Sequence, residues 1–268
     1  AYAGGRTGSG PAAPDLRVEE LVLGTGGLWE VPETLRPKGL DNDAPSDIAR
    51  IVDTITSAGR VAELPEPRKP WLDELGKVYD VVDLSQGGFA SDKLVLGQVD
   101  DPDNQSQFPV YFEPDRSGNL AIFGASGSGK SAALRTLAVS AGLSFRFGPN
   151  WVYGLDFGAQ GLAMLDGLPH VGGIVRGNDD ERVRRLITWL AELVDDRAAR
   201  YAAVNAGTIT EYRAVSRNAE EPRILLLLDG LSGFLKAYET NDQWIDRLVS
   251  IASAGRPVGV HVVVTGDR

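Results

Sequence analysis

The 268-residue chain carries 37 acidic against 27 basic side chains, a formal charge of −10 at pH 7, and no cysteine. The acidic balance argues against a nonspecific grip on nucleic acid, which needs clustered Lys and Arg, and the lack of thiols excludes disulfides and thiolate metal sites. No apolar run reaches the roughly 18 residues of a membrane-crossing helix, and the opening AYAGGRTGSGPAAPD lacks the charged start and apolar core of a signal peptide, reading instead as the inside of a longer chain.

Residues 1–30, rich in Gly, Ala and Pro, read as a linker with one apolar patch at 21–29. In PSDIARIVDTITSAGR (45–60), Ser46 is a candidate N-cap, and Ile48, Ile51, Val52 and Ile55 recur at helical spacing, which predicts a short amphipathic helix. The prolines of VAELPEPRKPW stop it. The expected division is an inter-domain segment over 1–68 and one α/β domain over 69–268. In that domain, 93–99 and 108–113 predict a peripheral antiparallel pair. Buried strands are expected at 119–124, 151–157, 223–229 and 258–265, and helices at 129–142, 178–204 and 241–255. Val183, Leu186, Leu190 and Leu193 form the expected apolar stripe of the long helix. Strands apolar on both faces, alternating with helices, describe a mostly parallel sheet covered on both sides.

GASGSGKS (124–131) fits G-x-x-x-x-G-K-[ST] at every fixed position, and it lies between a buried strand and a helix. Gly124, Gly127 and Gly129 let the backbone curl so that successive N–H groups face one anion. Ala125, Ser126, Ser128 and Ala132 complete the expected phosphate cradle, and the helix N-terminus adds partial positive charge. Lys130 is expected to reach the outer phosphates, and the Ser131 hydroxyl to ligate Mg²⁺. The bland alternative is a Gly/Ser-rich turn, which the flanking strand and helix disfavour.

ILLLLDG (224–230) delivers Asp229 to a strand end, where a Walker B carboxylate would hold Mg²⁺; otherwise Asp229 caps a turn. Hydrolysis also needs a group that orients and deprotonates water. In P-loop ATPases with an extra strand between the two Walker strands, that group is commonly a Glu beside the Asp, and here the position is Gly230. The expectation is tight ATP binding with weak or partner-dependent turnover, with Gly230→Glu the substitution to raise it. Asp156, at the end of WVYGLDF, is either a substitute base or a structural turn residue.

Thr265 ends a strand where a γ-phosphate sensor belongs, or simply finishes that strand. Arg256 and Arg268 are candidate arginine fingers for a neighbouring subunit, or solvated loop residues. His261, inside an apolar strand, reads as packed, and His170 as a turn residue; two distant histidines make no zinc motif. LSQGG (84–88) precedes the phosphate loop, so it is no ABC signature. No [NT]-K-x-D guanine motif occurs.

Four blocks, GNLAIFGASGSGKSAALRTLA, YGLDFGAQGLAMLDGLPHVGGIV, RILLLLDGLSGF and GRPVGVHVVVTGDR, resemble FtsK/SpoIIIE-type ATPase domains in order and spacing over about 90–268. Within that family they are most similar to the second or third ATPase domains of EccC proteins from type VII (ESX) secretion. The resemblance implies a RecA-like P-loop fold, ATP with Mg²⁺, and ring or stacked assembly. It also implies neighbouring ATPase domains in one chain, WXG100/Esx-type export substrates, and a place on the cytoplasmic side of a bacterial membrane, in the soluble part of an anchored protein. The family continues past TGDR, so a fragment is expected. The leading function is an ATP-binding module of a protein-export motor. The alternatives are an FtsK-like DNA translocase, disfavoured by charge and the missing Glu, and a regulatory module with ATP as structural ligand.

Overall fold

The computed structural model describes residues 46–65, 71–85, 92–144 and 148–267. The predicted apolar patch at 21–29 and Arg268 lie outside them. The chain divides into two compact units, residues 1–70 and 71–268. The first contains helix α1, Asp47–Val61, whose N-cap Ser46 accepts a hydrogen bond from the Ala49 N–H at 3.3 Å. Among the described residues no helix is long and apolar enough to cross a membrane.

The second unit opens with a short helix α2, Val81–Leu84. Strands β1, Leu94–Asp101, and β2, Ser106–Phe112, then form the expected antiparallel pair. Their connection is tighter than the polar run DDPDNQSQ suggested, because both of its ends extend the ladder, Asp101 opposite Ser106. After α3, Pro114–Ser117, the chain alternates. Strand β3, Leu120–Phe123, leads into α4, Lys130–Leu143. β4, Asn150–Asp156, is followed by a 3₁₀ turn at Ala163–Gly167 and by β5, Val171–Arg176. Then come α5, Asp180–Ala203, and α6, Ile209–Ser216. β6, Arg223–Asp229, α7, Leu231–Ala237, α8, Gln243–Ala254, and β7, Val260–Gly266, complete the series.

The five strands β3 to β7 form one parallel sheet in the order β3-β7-β6-β4-β5. Every residue of β6 is buried. Its alternate side chains feed two cores: Ile224, Leu226 and Leu228 pack with α5, α7 and α8, while Leu225 and Leu227 pack with α4 and the β1–β2 hairpin. That division is why the strand reads as an unbroken leucine run, each leucine contributing about 1.5–3 kcal/mol of burial. The buried stripe of α5 is Val183, Ile187, Leu190, Val194, Arg197 and Tyr201, not the predicted 183/186/190/193 set. Alternating steps of four and three keep one line facing the sheet, and Leu186 and Leu193 flank it, partly buried.

At the N-terminal edge of the sheet lies a buried ionic cluster. Arg223, 2% exposed, donates to both Asp115 oxygens at 2.9 and 2.6 Å and to Asn150 Oδ1 at 3.1 Å. His261 is fully buried, as its apolar strand predicted; Nδ1 lies 2.8 Å from the Gly118 carbonyl and Nε2 3.4 Å from Asp115. Burial acts to raise the Asp115 carboxyl, but neighbouring His261 and Arg223 outweigh it and hold the group well below the ordinary carboxylate range. Burial pushes the His261 imidazole below its usual value against the opposing pull of Asp115. His170 packs over Gly142, with Nε2 2.8 Å from the Ala138 carbonyl, a structural position.

Candidate nucleotide site

The phosphate loop spans the gap between Phe123, the last residue of β3, and Lys130, the first of α4. Gly129 is the N-cap of α4 with φ +91°, a conformation that side chains avoid. No side chain caps that helix and its first turn holds no acidic residue. The orphan N–H groups of α4 therefore face the loop uncapped by any side chain of the helix itself, the arrangement that draws anions. At Gly124 a Cβ would come 2.5 Å from Ser128 Oγ, so a larger residue there would displace that hydroxyl.

Residues 125–132 line a cavity of about 580 Å³ together with Asp229, Gly230, Thr265 and Asp267. The structure thus brings the predicted loop residues, the predicted Walker B Asp and the predicted strand-end Thr to one place, at the C-terminal ends of the strands. Ser131 Oγ donates to Asp229 Oδ2 at 2.6 Å across 98 positions of sequence. Thr265, fully buried, donates its hydroxyl to Asp229 Oδ1 at 2.6 Å and accepts from the Gly230 N–H at 2.9 Å. Its single donor is spent on Asp229, and one of its acceptor positions holds the residue after it. Lys130 Nζ donates to the carbonyls of Gly124 and Ala125 at 2.9 Å each and meets Asp267 Oδ1 at 3.0 Å.

Gly230 is more than a missing Glu. Its φ is +88°, and a Cβ there would lie 3.1 Å from the Phe157 carbonyl carbon and 3.2 Å from the Gly158 nitrogen. The loop after β4 is packed onto Gly230 and Gly233, so the side chain that sequence reasoning expected to restore turnover would be strained by the backbone and would press on the Phe157 and Gly158 main chain. Asp156 is likewise committed. It is buried, with Oδ1 accepting from the Gly158 N–H at 3.1 Å and Oδ2 from the Leu162 N–H at 3.0 Å. Of its two readings, the structural one describes its contacts. Arg256 sits in the turn before β7, at the opposite end of the sheet from the loop, and donates to the Asp115 carbonyl at 3.1 Å.

Sequence reasoning missed four contributors. Arg135 lines the cavity, one helical turn beyond Ser131 on the same face of α4, a relation that the spacing alone could have signalled. Gly158 and Gly161 approach Asp229 so closely that a Cβ on either would lie 3.4 or 3.3 Å from its Oδ2. Asp267 depends on strand pairing and had no local signal.

An alcohol and a carboxylate oxygen brought together beside a phosphate cradle make an all-oxygen donor set suited to Mg²⁺. Among the described residues no cluster of three or more metal-ligating side chains exists. A divalent ion here would take the rest of its shell from water and phosphate oxygens, as Mg²⁺ in nucleotide sites does. The residues present fit Mg²⁺–nucleotide.

A family model for FtsK/SpoIIIE matches residues 95–268. The chain belongs to the FtsK/SpoIIIE family. It is 29% identical over 246 residues to the ESX-4 secretion system protein EccC4 of Mycobacterium tuberculosis, covering 88% of this chain and 19% of that protein. Among solved structures, EssC (ATPases 2 and 3) from Geobacillus thermodenitrificans superposes with a TM-score of 0.61 at 26% identity, covering 76% of this chain and 37% of that one. Thermomonospora curvata EccC (ATPases 2 and 3), solved in complex with a signal sequence peptide, gives 0.61 at 25%, covering 78% and 37%. This FtsK/SpoIIIE chain thus spans well under half the length of each of these relatives.

Proposed function

We propose that this chain is an ATP-binding domain of a type VII secretion motor of the EccC/EssC kind, whose own hydrolysis is weak or depends on partners. The observation that carries the nucleotide reading is the 2.6 Å bond from Ser131 to Asp229 in the cavity that also holds Lys130. Here the loop N–H groups and the start of α4 would hold phosphates, Lys130 would hold the outer phosphate oxygens, and Ser131 with Asp229 would hold the metal. Thr265 acts behind the metal side, fixing the Asp229 rotamer rather than sensing phosphate. Bound Mg²⁺–ATP supplies the phosphoryl group and the charge that polarises it.

Weak turnover follows from the carboxylates. Those lining the cavity are Asp229 and Asp267. The first is bonded to Ser131 and Thr265, and the second to Lys130. Asp229 is not poised to deprotonate water, Asp267 is 65% exposed, a solvated carboxylate rather than a buried base, Asp156 is spent on backbone N–H groups, and Gly230 contributes no side chain.

The EccC and EssC names of the relatives support the motor assignment, and the peptide-bound relative supports recognition of a substrate signal. We extend the family's pattern to this chain: adjacent ATPase domains as partners, WXG100-type export substrates, and action at the cytoplasmic face of a membrane. The test measures Mg²⁺–ATP affinity and single-turnover hydrolysis on one sample, with Lys130→Ala as binding control. Micromolar or tighter binding, about −8 kcal/mol or better, lost in the variant and accompanied by negligible turnover, is expected. Brisk hydrolysis by the isolated chain overturns the weak-site reading, and no binding overturns the nucleotide assignment.

A further inference from the structure

We infer that Asp267 is an internal competitor for the terminal phosphate, a carboxylate held on Lys130 that nucleotide must displace, so that it sets affinity and discriminates ATP from ADP. The inference rests on the nucleotide reading above.

An ammonium has three N–H donors, and Lys130 Nζ already has three acceptors: the Gly124 and Ala125 carbonyls at 2.9 Å each and Asp267 Oδ1 at 3.0 Å. A phosphate oxygen can therefore be received only when one of them leaves. The two carbonyls belong to the loop backbone that forms the cradle. Asp267 alone holds Lys130 with a side chain, 65% exposed while the lysine is 14% exposed, so it can swing into water at little cost.

Its position is built by the sheet. β7 pairs in parallel with β3 so that Gly266 lies opposite Phe123, and the Gly124 N–H donates to the Gly266 carbonyl at 3.2 Å. The next residue, Asp267, is thereby set beside the start of the loop, where Lys130 folds back. Lys130 serves the outermost phosphates. The Asp267 charge thus lies where a γ-phosphate brings its own charge, and ADP brings less there.

Calorimetric titration of the full chain with Mg²⁺–ATP and Mg²⁺–ADP tests this in wild type, Asp267→Asn and Asp267→Glu, with a melting curve on each to establish folding. Removing one like charge beside the phosphates of a largely solvated site is expected to tighten ATP binding by about three- to tenfold. ADP binding should change less, and Asp267→Glu, which keeps the charge, should stay near wild type. If Asp267→Asn binds ATP no tighter than wild type, or tightens both nucleotides equally, Asp267 does not compete with the terminal phosphate and the inference fails while the nucleotide site stands. If no form binds nucleotide, the functional reading and this inference fall together.

Discussion

Substituting Glu for Gly230 is the change that family comparison invites and the structure opposes. Gly230 adopts φ +88° and ψ +65° at the start of α7, and its N–H is bonded to Thr265. Placing an L side chain in a left-handed conformation costs about 1–2 kcal/mol. The new Cβ would also sit 3.1–3.2 Å from the backbone of Phe157 and Gly158, atoms that cannot rotate away as a side-chain tip can. Crowding of that kind adds about 1–3 kcal/mol, for a sum of roughly 2–5 kcal/mol. In a unit of this size each kcal/mol shifts Tm by about 2–4 °C, so Gly230→Glu should melt roughly 4–20 °C below wild type. It should gain no turnover, because relieving the clash moves the β4 loop that packs beside Asp229. Differential scanning fluorimetry with and without Mg²⁺–ATP, followed by single-turnover hydrolysis, checks both halves. A variant that melts with wild type and hydrolyses ATP would refute the packing argument and make residue 230 the sole defect.

Three further outcomes are expected. Gly161→Ala places a Cβ 2.9 Å from Ser131 Cβ and 3.1 Å from its hydroxyl, pushing Ser131 off Asp229; the Mg²⁺-dependent part of nucleotide affinity should drop about tenfold, read by titration with and without EDTA. Thr265→Val keeps the shape but leaves Asp229 Oδ1 and the Gly230 N–H without their partner, costing about 1–3 kcal/mol in urea denaturation. Stability should also fall on acidification. The folded His261 value lies below its unfolded one, so the unfolded chain takes the proton first, and stability present above about pH 6.5 is lost as pH falls through that value towards the folded one. Asp115, whose folded value is also depressed, adds a second loss below about pH 4. Melting curves between about pH 7.5 and 5.5 should therefore decline in wild type and flatten in His261→Gln; a flat wild-type profile would remove the burial argument.

The parts of the fold legible in the sequence were those whose environment is uniform along the chain. β6 is buried on both faces and so is apolar from Ile224 to Leu228, and α5 is long enough for its period to show even with two of the four stripe positions misplaced by a residue. β5 was not legible. VGGIVR has two glycines in six residues, which lowers strand propensity, yet a Cβ at Gly172 would run into the Tyr153 ring of the adjacent strand. The glycine that hides β5 in the sequence is the one that lets it pack. α6 and α7, at eight and seven residues, are too short for a helical period to declare itself, and tertiary contacts stabilise them.

The same distinction divides the site. A phosphate loop is a local object, eight consecutive residues whose chemistry and geometry are set by their own order, and it could be read directly. Asp229 could be read because its strand announces where it ends. What the Asp229 carboxylate does is a matter of registers, since Thr265 and Gly161 reach it from other strands and loops. The Gly230 position shows the limit most clearly. The letter gives only the absence of a side chain, which suggests a defect that one substitution repairs. Its φ and the Phe157 backbone above it show an end of β6 rebuilt around that absence. A carboxylate-bearing residue there would strain the Gly230 backbone and press on the β4 loop, so what position 230 can contribute is set by the packing around it and not by its letter alone.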